Sequence, residues 1–165
     1  MRLLRVCVLV MFSMFPVLAQ ENSGPTDVKA QKTYKEALQL LHEREPLSAL
    51  GSFKKADKQD GGHCTACQKQ MIKYGIELGD WKAAEQGAEE MVAAAKDETA
   101  TALAHYQSSA VFFQEGLHKQ KAEYFARAHD EANKALAVHA NFPDALYMGG
   151  LALAHLQQGS RQSQV

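Results

Sequence analysis

From about residue 29 onward the chain is written in strong helix formers, Ala, Leu, Glu, Lys and Gln. Its β-branched residues never alternate over a strand-length run, so nothing reads as a sheet and the expected fold is all-α. Punctuation cuts the helical stretch into pieces. Pro46 suits the first turn of a helix, where its missing N–H costs nothing. Asp60-Gly61-Gly62 is a strong break, Gly79-Asp80 a short turn, and Lys96-Asp97-Glu98-Thr99 a polar stretch able to cap a new start. Gly116 is expected to end a helix, and Asn141-Phe142-Pro143-Asp144 is a further turn. The helices this implies run over 29–44, 46–59, 64–78, 81–95, 99–115, 118–139 and 143–157.

These helices repeat. Ala37 and Ile72, Ala49 and Ala84, and Ala56 and Met91 each lie 35 residues apart, at matching places in successive helix pairs. The run Leu78-Gly79-Asp80-Trp81-Lys82-Ala83-Ala84 resembles the turn of the tetratricopeptide repeat. Ala145-Leu146-Tyr147-Met148-Gly149-Gly150-Leu151-Ala152-Leu153 resembles that family's first helix, with Gly150 at its small packing position. Ala128, Ala132 and Ala135-Leu136, followed by Asn141-Phe142-Pro143-Asp144-Ala145, resemble the end of one repeat and the start of the next.

Over residues 30–157 the resemblance implies a right-handed solenoid of antiparallel helix pairs, about 3.5 repeats long. Small residues would sit where helices cross, and Leu41, Phe53, Met71, Phe112 and Leu153 would fill the grooves. The third unit departs from the pattern. Gly116 and Ala128 are twelve residues apart, and the extra residues near Leu117 to Phe125 are expected to lengthen both of its helices. The fourth unit contributes one helix, followed by a polar tail over 158–165.

Residues 1–19 read as a secretory signal: Arg2 and Arg5, a thirteen-residue run from Val6 to Leu18 broken only by Ser13 and Pro16, then Val17-Leu18-Ala19 at the cleavage place. Such a run rises about 20 Å as a helix, short of the roughly 30 Å hydrocarbon core. Cleavage after Ala19 is expected, with a periplasmic or secreted product and no stable membrane span. Residues 20–28 form a polar, flexible lead-in to the helical domain at 29–157. Taking Arg2 and Arg5 from the 18 basic residues leaves 16 against 19 acidic ones, a balance that gives no reason to expect nucleic acid as a partner.

Export leaves two cysteines, Cys64 and Cys67, since Cys7 departs with the signal. In an oxidising compartment a pair at this spacing points first to a disulfide. Cys-x-x-Cys at the start of a helix also places two sulfurs one turn apart, where the helix N-terminus lowers a thiol pKa, so a redox pair is the second reading. A metal site using His63, Cys64 and Cys67 is set aside, because zinc wants four ligands and no second pair lies nearby. Haem needs a His directly after the second Cys, and residue 68 is Gln. No cofactor is expected. The seven histidines are scattered, and the Asp and Glu residues read as solvated charge on helix faces. No phosphate loop or nucleophile elbow appears, and no catalytic constellation is found.

By the register of the resemblance, the first helices of each pair line a concave groove. That implies Lys69, Lys73, Tyr106, Gln114, Tyr147 and His155 as the residues facing a bound protein or peptide. The expected function is therefore an exported protein–protein interaction module. The alternative rests on a second likeness. His63 to Trp81 and Asn141 to His155 resemble the helical N-terminal regions of bacterial exported proteins that carry a thioredoxin-like domain. It implies an accessory region of a thiol–disulfide redox protein, using Cys64/Cys67 or docking onto such a domain.

Overall fold

A computed structural model describes residues 24–162, with backbone only for 160–162. The expected signal segment lies outside the described residues. Those residues form seven helices and no strand: α1 (Val28–His42), α2 (Pro46–Gln59), α3 (Thr65–Leu78), α4 (Trp81–Ala94), α5 (Glu98–Lys119), α6 (Ala122–Val138) and α7 (Pro143–Gln162). None of them is long and apolar enough to cross a membrane.

Local chemistry explains most boundaries. Asp27, Asp80 and Asp97 cap α1, α4 and α5, each carboxylate accepting from backbone N–H groups of the first turn. Pro46 opens α2. Gly79 takes a φ of +72° at the end of α3, a conformation that costs glycine little.

α5 departs from expectation. It runs through Gly116 and ends at Gln120, which adopts a φ of +53° and donates its N–H to Gly116 O at 2.8 Å. Gly116 has a packing role instead: a Cβ there would meet the Phe125 ring at 2.9 Å. The extra residues of the third unit lengthen both of its helices, α5 to 22 residues and α6 to 17 against 14 in α2 and α4, with α6 beginning at Ala122. α7 likewise continues past residue 157, to Gln162.

Each helix packs on its chain neighbours, and the interior is a series of clusters that follow the helix order. Phe53 lies edge-on to Tyr34 and stacks with Tyr74, above Met71, Ala37 and Ala83. Ile72, Ala84, Ala88, Met91, Ala104 and Val111 form the next cluster, and Phe112, Phe113, Phe125, Ala128 and Ala152 a third. Close approach between α3 and α4 depends on missing side chains. A Cβ on Gly75 would lie 2.7 Å from Ala84 N, and one on Gly87 would lie 2.8 Å from Gln68 O.

Three expectations about packing change. Gly150 faces open space, and the small residue that packs α7 is Gly149, whose Cβ would meet Ala132 at 3.3 Å. Leu153 is 42% exposed and fills no groove. The end of the lead-in is tied down: Thr26 N, Thr26 Oγ1 and Asp27 N all donate to Asp60 Oδ1, at 2.7, 2.9 and 2.8 Å.

Candidate functional site

The break after α2 is stitched by one buried acid. Asp57 accepts the Cys64 N–H at 3.1 Å and Gln68 Nε2 at 3.1 Å, both on Oδ1. Gln68 Nε2 also donates to Gly62 O at 2.8 Å, and Gly62 N–H donates back to Asp57 O at 2.9 Å. Gly61 and Gly62 both take positive φ, which lets the chain double back onto the α2 terminus and bring Cys64 over Asp57.

Cys64 is the N-cap of α3, its Sγ accepting the Cys67 N–H at 3.1 Å. The two sulfurs are bonded at 2.00 Å, with Cα atoms 5.2 Å apart. Both cysteines are fully buried, packed against Ala56 and Ala66. A carboxylate oxygen of Asp57 and the two Sγ atoms all lie within 4.8 Å of one another. His63, expected beside them as a ligand only in the metal reading, stays outside that group.

The Asp57 carboxyl faces a second one, that of Glu90 on α4. Burial chiefly pushes the Asp57 pKa up to about 7, helped by hydrogen bonding to Glu90 and by its charge, while the Cys64 N–H and Gln68 pull the other way. Glu90 Oε1 accepts from Gln86 Nε2 at 2.9 Å, but its buried Oε2 has no donor, and neither has Gln68 Oε1 an N–H or O–H to accept from. Two carboxyls in contact need a proton or a cation between them.

A similar contact lies on the other side of α4. Glu115 of α5 is fully buried, is held by Lys119 Nζ, and has an unpartnered Oε2. Burial and the facing Glu115 raise the pKa of Glu85, opposed by Arg127 at 3.5 Å. The Arg127 guanidinium lies 3.7 Å above the Phe112 ring centre. Beyond it, burial works to raise the Glu131 pKa, but hydrogen bonds from Lys134 and His105, at 2.6 and 2.8 Å, outweigh burial and hold it low.

Two open clefts flank α4. One, of about 450 Å³, is lined by residues including Glu89, His105, Phe112, Arg127 and Lys134. The other, of about 540 Å³, has Lys54, Lys55, Asp57, Lys58, Gln86 and Glu90 in its wall.

None of the six expected groove residues lines either cleft. Gln114, Lys73 and Tyr147 are exposed, Tyr147 at 67%, and the Lys73 ammonium lies 4.9 Å from the Tyr74 ring centre. Lys69 is partly buried. Tyr106 packs edge-on against Phe142, with a pKa raised by burial and by Asp144. His155 stacks on Phe125 at 4.7 Å and meets Phe113 edge-on at 5.3 Å, so it serves interior packing.

Sequence reasoning misses Asp57 and Glu115, because it treats both as solvated charge. A signal exists all the same. Asp57 continues the apolar stripe Leu50, Phe53, and Glu115 continues Ser108, Val111, Phe112, so each acid sits where a helix faces the interior. No family model matches the chain, and neither does any curated protein or solved structure.

Proposed function

We propose that the chain is an exported interaction module of tetratricopeptide type, a right-handed array of helix pairs that binds a partner protein or peptide. The observation that carries this reading is the α3–α4 crossing, where Gly75 lies against Ala84 and Gly87 against Gln68, on either side of the Gly79-Asp80-Trp81 turn. Backbones that close at a pair's crossing suit a rigid surface whose exposed side chains can make contact. Lys73, Gln114 and Tyr147 are the solvent-facing members of the expected set, and an extended peptide would meet them by hydrogen bonding and stacking.

The test has two parts. Mass spectrometry of the protein recovered from its host is expected to show a chain that begins at Gln20, with the protein found outside the cytoplasm. A photo-crosslinking residue at position 73, 114 or 147 is expected to trap one discrete partner in the living host, while the same residue at position 55 traps none. Crosslinks equally frequent at all four positions would remove the groove.

The redox alternative draws on one specific observation, the Asp57 carboxyl beside the cysteine sulfurs. Against it stands the full burial of both sulfurs, which keeps a protein thiol from reaching them without local opening. A reduction potential well below about −300 mV is the result expected of a structural bond.

A further inference from the structure

We propose that the dithiol form of this protein holds a zinc-class divalent metal ion on Cys64 Sγ, Cys67 Sγ and Asp57, with Glu90 as the fourth donor. Four observations converge on it. The first three donors have ligand atoms within 4.8 Å of one another, the two sulfurs being joined in the disulfide, and Glu90 lies outside that group, beside Asp57. A tetrahedral site with metal–sulfur bonds of about 2.3 Å and metal–oxygen bonds of about 2.0 Å needs donor separations shorter than that limit.

Second, the cysteines chelate from one turn of helix at its N-terminus. Cys64 Sγ already accepts the Cys67 N–H, a bond that strengthens when the sulfur carries charge. Third, the carboxyls of Asp57 and Glu90 meet in the interior, and Glu90 Oε2 and the fully buried Gln68 Oε1 lack a donor. A cation between the carboxyls would satisfy the open Glu90 Oε2. Fourth, an ion has a route. Asp57 and Glu90 form part of the wall of the 540 Å³ cleft between α2 and α4, which is also lined by Lys54, paired with Asp80 at 3.5 Å, and by the exposed, solvent-screened Lys55 and Lys58.

Chemistry selects the metal. Two thiolates with two carboxylates favour Zn2+ and its spectroscopic substitute Co2+ over Mg2+ and Ca2+, which want only oxygen. The step balances as follows. A dithiol reductant passes two electrons and two protons to the Cys64–Cys67 bond and is itself left as a disulfide. The metal ion then displaces both thiol protons, and any proton on the two carboxyls leaves to solvent, with no change of oxidation state. The disulfide and the metal are therefore mutually exclusive, and the metal form arises only where a reductant has opened the buried bond.

The test uses the full chain. Protein reduced by a phosphine, freed of reductant and kept anaerobic, is titrated with Co2+ near neutral pH. The expected spectrum has near-ultraviolet sulfur-to-cobalt charge transfer and the strong visible bands of a tetrahedral site, both erased by stoichiometric Zn2+. Oxidised protein is expected to show neither. Asp57→Asn is expected to weaken Co2+ binding at least about tenfold, and Cys67→Ser to abolish the charge-transfer band. Should Asp57→Asn fail to fold, Zn2+ protection of the wild-type thiols from alkylation replaces it. Reduced protein with no charge-transfer band, oxidised protein binding as tightly, or thiols alkylated equally fast with and without Zn2+ would each overturn the site.

Discussion

Asp57 accepts the backbone N–H of Cys64 at 3.1 Å, so the acid that ends one helix pair holds the first residue of the next. The same carboxyl touches Glu90 on the far helix of that second pair. One side chain thus ties α2, α3 and α4 together, and its protonation state bears on all three.

Asp57 makes stability fall as pH rises. Its folded pKa of about 7 stands above the ordinary carboxyl value of 3.8, so the native state binds more protons than the unfolded chain between those values. The contribution is fully present below about pH 4 and is lost as pH climbs through 7. Its upper limit is about 4 kcal/mol, reduced by the solvent screening that the adjoining cleft provides. Glu85 shifts in the same direction and Glu131 in the opposite one. Thermal melts from pH 4 to 8 are expected to show a falling melting temperature, and Asp57→Asn a flatter profile. A wild-type melting temperature that rises over this range would contradict the acid pair.

Glycine substitutions separate crossing points from plain helix positions. Gly75→Ala would force a Cβ against the Ala84 backbone, at a cost of about 1–3 kcal/mol. Gly51 lies inside α2 with nothing within 4 Å of an added methyl, so Gly51→Ala gains helix propensity, about 0.5–1 kcal/mol. Urea denaturation of the two variants is expected to move the midpoint in opposite directions.

Gln120→Gly is expected to stabilise the protein by roughly 0.5–1 kcal/mol. Gln120 holds a φ of +53° at the end of α5, a conformation that costs an L side chain but not glycine. Its side chain is exposed, so little contact is lost. Calorimetry would detect the change, and a lower melting temperature would show that the Gln120 side chain matters more than its backbone.

The disulfide closes a loop of only a few residues, so its loss is expected to cost about 2 kcal/mol from chain entropy. Cys64→Ala with Cys67→Ala, which also removes the sulfur cap of α3, should lower the urea midpoint by more than reducing the wild type without metal does. A collapse of helicity in the double variant would mean that the bond organises far more than its own turn.

The amino-acid order by itself determined the seven helices and most of their ends, the end of α5, the start of α6 and the end of α7 excepted, because helix propensity, proline, Gly-Gly and Asp caps act within a few residues of one another. It also placed Cys64 and Cys67 one turn apart at a helix start. Tertiary structure alone decided that α5 passes through Gly116, since the reason is the Phe125 ring of another helix. It decided too which acids meet, Asp57 with Glu90 and Glu85 with Glu115, and that His155 lies on Phe125. Those contacts depend on where helix axes cross, and crossing is set by side-chain volume summed over both partners rather than by any local pattern.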